Sequence, residues 1–192
     1  MVEIKQVTTK KELSAFVQFY YDLYRDNDCA VPFHYFDEMD TLDRQKNPSF
    51  DYCEADYFLA YQDGKVVGRV AAIINHHANE RWNTLQVRFG WFDFIDNLEV
   101  SDALLKAVEG WGRERGMTEM VGPMGFIDTD REGMLVEGFE KLASMYINYN
   151  QSYYPEHIQR FGGFEKSNDW VEARVRVPEV VPDKFAKVTE MV

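Results

Sequence analysis

Alternating hydrophobic and polar positions predict a meander of β-strands in the first half of the chain. One run spans residues 56–75 and is broken by Asp63-Gly64, a pair typical of a two-residue hairpin turn. After a polar stretch at 75–83, which we expect to be a loop, a further run spans 84–96. Half-buried strands alternate in this way with a period of two, so these runs predict three antiparallel strands.

Hydrophobic residues spaced three and four positions apart predict two amphipathic helices. The first follows a short alternating strand at residues 2–7. Thr9 and Glu12 have the spacing of a capping box at its start, and we expect it to end near Asn27. Its apolar face is formed by Leu13, Phe16, Val17, Tyr20 and Tyr24.

The second amphipathic helix belongs to a strand–helix–strand unit over residues 84–122. Ser101 is placed as its N-cap and Gly116 as its C-terminal stop. Residues 117–122 then predict a strand. Two neighbouring strands joined by a helix are expected to be parallel, with a right-handed crossover.

The remaining segments are shorter or irregular. Residues 28–54 are expected to serve either as a flap over a site or as a connection pinned by aromatic residues, with one short helix near 35–42. Residues 153–166 predict a short helix with a proline in its first turn. The alternation over 170–177 predicts a final strand.

This order of elements predicts an α/β (α+β) fold. Its mixed central sheet has an antiparallel meander followed by the parallel strand–helix–strand unit, and helices cover both faces. Residues 1–177 are expected to form one domain. Residues 178–192 are expected to begin a linker or helix that leads to a second domain, with Phe185, Val188 and Val192 on one helical face.

Charge and cysteine content narrow the class of protein. The 192 residues carry a formal net charge of −12, which disfavours nucleic acid or an anionic membrane as a partner. Cys29 and Cys53 are too few for a disulfide framework, so we expect two buried thiols in a cytoplasmic protein. The adjacent His76 and His77 point to opposite sides of an extended chain, so we expect no metal site. No stretch approaches the roughly 18 apolar residues of a membrane span.

The chain resembles the GNAT superfamily of acyl-CoA N-acyltransferases over residues 2–177. The order of elements carries the resemblance, and two stretches strengthen it. Residues 153–166 are similar to the late helix–strand motif of these enzymes, in which a tyrosine precedes a glycine–phenylalanine pair. Residues 122–140 with 149–155 are similar to a bacterial GNAT-like group whose chains often have two GNAT-like halves. The resemblance therefore implies a second half as a partner.

The resemblance also implies a cofactor, acetyl-CoA or another acyl-CoA, and no metal. Members of the superfamily bind its pyrophosphate at the junction of a strand and a helix, through a loop that contains glycines. The matching stretch here, residues 96–102, has no glycine and no basic residue. Each carboxylate close to a pyrophosphate costs on the order of 1 kcal/mol or more. The cofactor contacts implied by the resemblance are Phe94, Ile95, Asn97 and Ser101.

A GNAT reaction needs a base for the acceptor amine and an acid for the leaving thiolate. The resemblance places the base on the strand before the junction, where Asp93 and Asp96 are candidates. Tyr154 is a candidate acid, and His157 is a further titratable candidate on the same helix. For each residue a structural interpretation stays open, namely a hydrated strand end, core packing or, for His157, a solvent-facing position.

Two functions from different classes follow from these residues. One is an acyltransferase that moves an acyl group from a thioester to a small-molecule or peptide amine, or the degenerate half of such an enzyme. The other is a non-catalytic GNAT-fold domain for binding or scaffolding. Transfer from aminoacyl-tRNA conflicts with the net charge of −12.

Overall fold

Among the described residues, five strands form one mixed sheet whose spatial order is the order of the chain. Strands β1 to β4 are antiparallel neighbours, and β4 and β5 are parallel. This computed structural model describes residues 1–173, 175–176 and 179–180. The strands are β1 Glu3–Gln6, β2 Cys53–Gln62, β3 Lys65–Asn75, β4 Gln86–Phe94 and β5 Glu119–Val121.

The hairpin between β2 and β3 confirms the predicted turn. Asp63 and Gly64 both have positive φ, 51° and 76°, which is the backbone that a two-residue primed turn requires. The sheet contains the predicted antiparallel meander and the predicted parallel pair of strands, β4 and β5. The mixed α/β architecture is therefore confirmed.

Within the part of the chain that the structure describes, five α-helices and one short 3₁₀-helix accompany the sheet. They are α1 Lys10–Leu23, α2 Tyr35–Leu42, the 3₁₀-helix Pro48–Asp51, α3 His76–Trp82, α4 Leu98–Glu114 and α5 Tyr154–Phe161. Two buried clusters lie on the sheet. One joins α4 and α5 to strands β2 to β4, and the other joins α1 and α2 to β2 and β3. Helices on both faces are therefore confirmed.

Helix α1 begins with the predicted capping box. Thr9 Oγ1 accepts from the Glu12 amide at 3.2 Å, and the Glu12 carboxylate accepts from the Thr9 amide at 2.9 Å. The helix ends at Leu23, before the predicted Asn27. Asn27 instead caps the next turn, where its side chain accepts from the amides of Cys29 and Ala30.

The polar stretch after β3 forms helix α3, so the expected loop at 75–83 is wrong. The Asn75 side chain accepts from the Ala78 amide at 2.8 Å and caps the helix, and Asn83 ends it with a positive φ of 51°. Polarity alone favoured a loop, but Asn75 supplies the start signal of a short helix and Asn83 supplies its stop signal. The neighbouring His76 bonds Glu54 at 2.8 Å, and His77 stacks on the Tyr52 ring.

Helix α4 begins earlier than predicted. Asn97, not Ser101, is its N-cap, and the Asn97 side chain accepts from the Glu99 amide at 2.9 Å. Ser101 lies within the first turns and is fully buried. The helix ends at Glu114, and Gly116 follows with the positive φ that the predicted stop requires.

The predicted final strand is wrong in the part of it that the structure describes. Residues 170–173 and 175–176 form no strand, and Trp170 and Val171 are 79% and 90% exposed. Alternation produces a strand only where the apolar face finds a neighbour, and Val175 is also exposed. The helix predicted within 178–192 lies almost wholly outside the described residues, so the domain boundary stays a prediction.

The two cysteines differ in environment. Both are free thiols, but Cys53 is buried and Cys29 is only partly so, which corrects the expectation of two buried thiols. Burial raises the pKa of Cys53 to about 11. Among the helices that the structure describes, none has the length and apolar character needed to cross a membrane.

Candidate active site

A bulge in β4 sets the direction of the side chains near its end. Arg69 on β3 pairs with Asp93, but Ala71 pairs with Gly90, so β4 has one residue more than β3 between these pairs. Trp91 lies in this bulge with a φ of 45°. Positive φ is uncommon for a large side chain, and such conformations cluster at functional sites.

Asp93 belongs to a buried cluster of two carboxylates and one guanidinium. Arg69 Nε donates to Asp93 Oδ2 at 2.8 Å, and Arg69 NH1 lies 3.7 Å from Glu38 Oε2. The Trp91 indole donates to the other oxygen of Glu38 at 3.0 Å. The side chains of the three charged residues are 3–7% exposed. Burial opposes the charge of Arg69, but the neighbouring carboxylates of Asp93 and Glu38 outweigh it and raise the pKa of Arg69.

Two tyrosine hydroxyls adjoin the second oxygen of Asp93. The hydroxyls of Tyr24 and Tyr154 each lie 3.4 Å from Asp93 Oδ1 and 3.2 Å from one another. Burial, reinforced by the nearby carboxylate, raises the pKa of both tyrosines well above the usual value. Both hydroxyls therefore keep their protons and can donate hydrogen bonds. Asp93 is 5% exposed, so the interpretation of this residue as a hydrated strand end is wrong.

Tyr154 also connects α5 to the end of β4. Its hydroxyl accepts from the Phe94 amide at 3.0 Å, and the two rings stack with centroids 4.2 Å apart. The Tyr153 hydroxyl donates to the Phe94 carbonyl. Tyr154 is thus a core residue, as the packing interpretation has it, and also a neighbour of Asp93, while its role as an acid stays a prediction.

His157 connects the same helix to the start of α4. Its Nδ1 lies 2.8 Å from Ser101 Oγ, and its Nε2 lies 3.1 Å from Asp96 Oδ1. The imidazole is 3% exposed, so the solvent-facing interpretation of His157 is wrong. The Asp96 side chain is 70% exposed. Asp93 and Asp96 therefore lie in different environments and join different networks.

The four residues predicted to contact acyl-CoA already make hydrogen bonds within the chain. The Ile95 amide donates to the Val67 carbonyl at 3.0 Å, and the Ile95 carbonyl accepts from the Asn97 amide at 2.6 Å. The Asn97 side chain caps α4, and Ser101 Oγ lies within hydrogen-bond distance of His157. The backbone of Phe94 bonds the hydroxyls of Tyr153 and Tyr154. Acyl-CoA contact at these residues stays a prediction.

Tyr20 carries a buried hydroxyl that makes no hydrogen bond in the part of the chain that the structure describes. The residue lies on α1, one turn before Tyr24, and the two rings are 4.5 Å apart. Burial, and then the nearby Asp93 carboxylate, raise the pKa of Tyr20 to about 12, while Arg131 and Arg69 oppose the rise.

Two irregular segments, residues 28–33 and 131–150, cover this tyrosine. The Arg131 guanidinium stacks 3.5 Å from the Phe33 ring centroid and donates to the Val31 carbonyl at 2.9 Å. The Ala143 amide donates to the Cys29 carbonyl at 2.9 Å. Region 28–54 therefore covers part of the site, as a flap would, and supplies Glu38 through α2. It is also pinned by aromatic residues, since Tyr21 packs on Tyr35.

Sequence reasoning missed Glu38, Arg69, Tyr24 and Tyr20 as site residues. Arg69 had a detectable signal, because it is a charged residue in the middle of the apolar run 66–74. Charged residues are almost never fully buried without a partner. Glu38 had no comparable signal, since its neighbours Asp37 and Asp40 are also acidic.

One surface groove lies away from this cluster. It has a volume of about 810 Å³ and is lined by Val87, Arg113, Met120, Phe161 and Phe164 among others. These residues belong to the early parts of β4 and β5, the second half of α4 and the end of α5. The groove therefore lies at the opposite end of the parallel strands from Asp93.

No protein-family model matches the chain. Protein YghO of Escherichia coli (strain K12) is 29% identical over 159 residues, which are 83% of this chain and 40% of that protein. A bacterial ceramide synthase of Caulobacter vibrioides (strain NA1000 / CB15N) is 30% identical over 136 residues, 70% of this chain and 35% of that protein. The chain thus spans less than half the length of both relatives.

Several solved structures share the architecture at low sequence identity. A predicted acetyltransferase with acetyl-CoA from Clostridium acetobutylicum superposes with a TM-score of 0.54 at 9% identity, over 91% of this chain and 96% of that one. AAC(6')-Iy in complex with a bisubstrate analogue gives 0.53 at 18% identity, over 92% and 99%. A putative acetyl transferase from Pyrococcus furiosus gives 0.51 at 12% identity, over 91% and 100%. The chain therefore has the fold of the GNAT acyltransferase superfamily.

Proposed function

We propose that this chain is part of an N-acyltransferase in which Asp93 receives the proton of an acceptor amine. The observation that carries the proposal is the buried Asp93 carboxylate with the hydroxyls of Tyr24 and Tyr154 each 3.4 Å from one of its oxygens. A proton acceptor and two proton donors thus meet at the end of β4. Acyl transfer to an amine needs both kinds of group.

In the proposed reaction the carboxylate acts first and a tyrosine hydroxyl acts second. The amine nitrogen bonds to the thioester carbonyl carbon, and its proton passes to the Asp93 carboxylate. The carbon–sulfur bond then breaks, and the thiolate takes a proton from a tyrosine hydroxyl, which is restored from Asp93. Arg69 holds the carboxylate in place through its bond of 2.8 Å. The overall result is an amide and a free thiol.

The comparisons favour an acyl-CoA donor and a particular class of acceptor. One structural neighbour contains acetyl-CoA, and one sequence relative is named a ceramide synthase. A ceramide is, by chemical definition, the amide of a fatty acid with a long-chain amino alcohol. We therefore propose a fatty acyl-CoA as donor and a long-chain amino alcohol as acceptor.

A second candidate function, a non-catalytic binding or scaffolding domain, is favoured by the junction between β4 and α4. Asn97 caps α4, Tyr153 and Tyr154 bond both backbone groups of Phe94, and Asp96 is exposed beside them. An anion at this helix start would find its amides already capped and a carboxylate close by. In this alternative the implied second GNAT-like half binds the thioester.

The decisive experiment measures thiol release and amide formation by the full-length native protein. Palmitoyl-CoA is supplied with a long-chain amino alcohol, and the amide is identified by mass spectrometry. Asp93→Asn should lower the rate by about 100-fold or more. Asp37→Asn, which removes an 81% exposed carboxylate from α2, serves as the matched control. Absence of amide from the native protein would refute the proposal.

A binding measurement separates the two candidate functions for this segment. Calorimetric titration with palmitoyl-CoA should give a Kd below about 1 mM if the segment holds the donor, since 1 mM corresponds to only ~4 kcal/mol. Titration of a variant with Asn97→Ala then tests the junction. Binding that is absent here but present in the full-length protein favours the scaffolding domain.

A further inference from the structure

The hydroxyl of Tyr20 is buried and, among the residues that the structure describes, has no hydrogen-bond partner. The side chain is 5% exposed, so bulk water does not satisfy it. Buried hydroxyls in folded proteins nearly always have a partner. Other buried tyrosines follow this rule, since Tyr57 donates to the Leu42 carbonyl at 2.9 Å and Tyr24 bonds Tyr154. The unsatisfied hydroxyl of Tyr20 therefore requires an explanation.

Tyr20 lies in the cluster that surrounds Asp93. Its ring packs 4.5 Å from the Tyr24 ring, and the Arg69 guanidinium lies 5.4 Å from its centroid. Both of these neighbours contact Asp93 directly. The Tyr20 ring thus packs against two residues that themselves contact the group that we assign to the acceptor amine.

Charged groups lie on two sides of Tyr20. The carboxylates of Asp93 and Glu38 lie on the side of β3 and β4, with Arg69 between them. On the other side the Arg131 guanidinium lies 5.9 Å from the Tyr20 ring, near enough to lower the pKa of the hydroxyl, but no nitrogen of Arg131 meets that hydroxyl with hydrogen-bond geometry. A ligand at this position would meet a hydrogen-bond acceptor in Asp93 and a free hydroxyl in Tyr20.

We propose that Tyr20 determines acceptor specificity by bonding a hydroxyl on the carbon next to the amine-bearing carbon. This inference rests on the proposed function, because Asp93 must bind the amine of the same acceptor. The Asp93 carboxylate only accepts hydrogen bonds, whereas the tyrosine hydroxyl both donates and accepts. A 2-amino alcohol offers an amine donor and a neighbouring hydroxyl, so it satisfies both groups together. A simple alkylamine leaves Tyr20 unsatisfied.

Discrimination by such a group is expected to be large. A site that hydrogen-bonds a substrate hydroxyl rejects the analogue that lacks it, because the buried partner is then left unpaired. If Tyr20 serves only to pack α1 against Tyr24, its hydroxyl has no effect on the choice of acceptor. The two roles therefore predict different behaviour of the variant Tyr20→Phe.

The test compares two probes of equal chain length, 2-amino-1-dodecanol and dodecylamine, by calorimetric titration of the full-length protein without thioester. The native protein should prefer the amino alcohol by about tenfold or more. Tyr20→Phe should bind both probes with similar affinity. Tyr146→Phe, which loses a hydroxyl from a 76% exposed side chain, should keep the native preference. Thermal unfolding of each variant verifies that it is folded.

Three results would overturn the inference. They are equal affinity of the native protein for the two probes, absence of binding of either probe, and a preference that survives in Tyr20→Phe. Because no thioester is present, these results are independent of turnover. A preference that depends on Tyr20 in a protein without acyl transfer would refute the proposed function and would still show that Tyr20 recognises the hydroxyl of a 2-amino alcohol.

Discussion

His157 and Ser101 join two helices through a buried hydrogen bond of 2.8 Å between Nδ1 and Oγ. The imidazole also bonds Asp96 at 3.1 Å, so it connects α5 to both the start of α4 and the end of β4. This bond fixes α5, which carries Tyr154 to the Asp93 carboxylate. The integrity of the candidate site therefore depends on a histidine that contacts neither Asp93 nor Tyr24 in the described hydrogen bonds.

Replacing this histidine should loosen α5. His157→Phe keeps an aromatic ring but loses both hydrogen bonds, and we expect the free energy of unfolding to fall by about 1–3 kcal/mol. Urea denaturation measures the change. In a double-mutant cycle with Ser101→Ala, the two losses should be less than additive, because both variants remove the same bond. His34→Phe, at a 67% exposed position, is the control, and a similar loss there would contradict the argument.

The capping box of α1 predicts acid sensitivity. Hydrogen bonds from Thr8 and Thr9 lower the pKa of Glu12 from 4.5 to about 2. A carboxyl whose pKa is lower in the folded state stabilises the fold above its unfolded pKa. That contribution should be fully present above pH 4.5 and be lost as the pH falls towards 2. Glu12→Gln should remove this part of the pH dependence of unfolding, and Glu3→Gln, on β1, should not.

Two glycines of α4 should respond oppositely to alanine. A methyl group at Gly110 meets nothing within 4 Å, so Gly110→Ala should stabilise the helix by about 0.5–1 kcal/mol. At Gly112 the same methyl would lie 2.6 Å from Val87 Cγ1, a stiff β-branched side chain. Gly112→Ala should therefore lower the thermal midpoint, and equal effects of the two variants would contradict the packing of α4 on β4.

The fold was predictable where one local pattern decided the structure. The hairpin at Asp63-Gly64 and the capping box at Thr9 are both present. The errors arose where two local signals competed or a partner was needed. Asn97 and Ser101 are both suitable caps, and Asn97 is the cap while Ser101 is buried against His157.

The candidate site was predictable only in part. Asp93 and Tyr154 were named from their positions on β4 and α5, and the structure places them 3.4 Å apart. Glu38 and Arg69 are 31 residues apart in the chain by their numbers, and their meeting depends on how α2 packs on α1 and α1 on β3. Contacts of this kind follow from the tertiary structure, and no periodicity in the sequence encodes them.

Removal of the unsatisfied hydroxyl should stabilise the ligand-free protein. Tyr20→Phe eliminates a buried polar atom without a partner, and we expect the free energy of unfolding to rise by about 1 kcal/mol. Tyr57→Phe is the matched control, because it breaks a satisfied bond of 2.9 Å and should lower the free energy of unfolding. Denaturant titration of both variants distinguishes the two cases. Destabilisation by Tyr20→Phe would show that its hydroxyl has a partner in the free protein.

The contribution of Arg69, Asp93 and Glu38 to stability should be separable from the contribution of Asp93 to catalysis. Arg69→Met leaves Asp93 and Glu38 as unpaired buried carboxylates, and we expect a loss of about 3–5 kcal/mol in the free energy of unfolding. The triple variant Arg69→Met, Asp93→Asn, Glu38→Gln has no buried charge in this cluster, and it should recover most of that stability. It should nevertheless remain inactive in amide formation, because the proton acceptor is missing. A triple variant that is stable and fully active would contradict the role of Asp93 as the base.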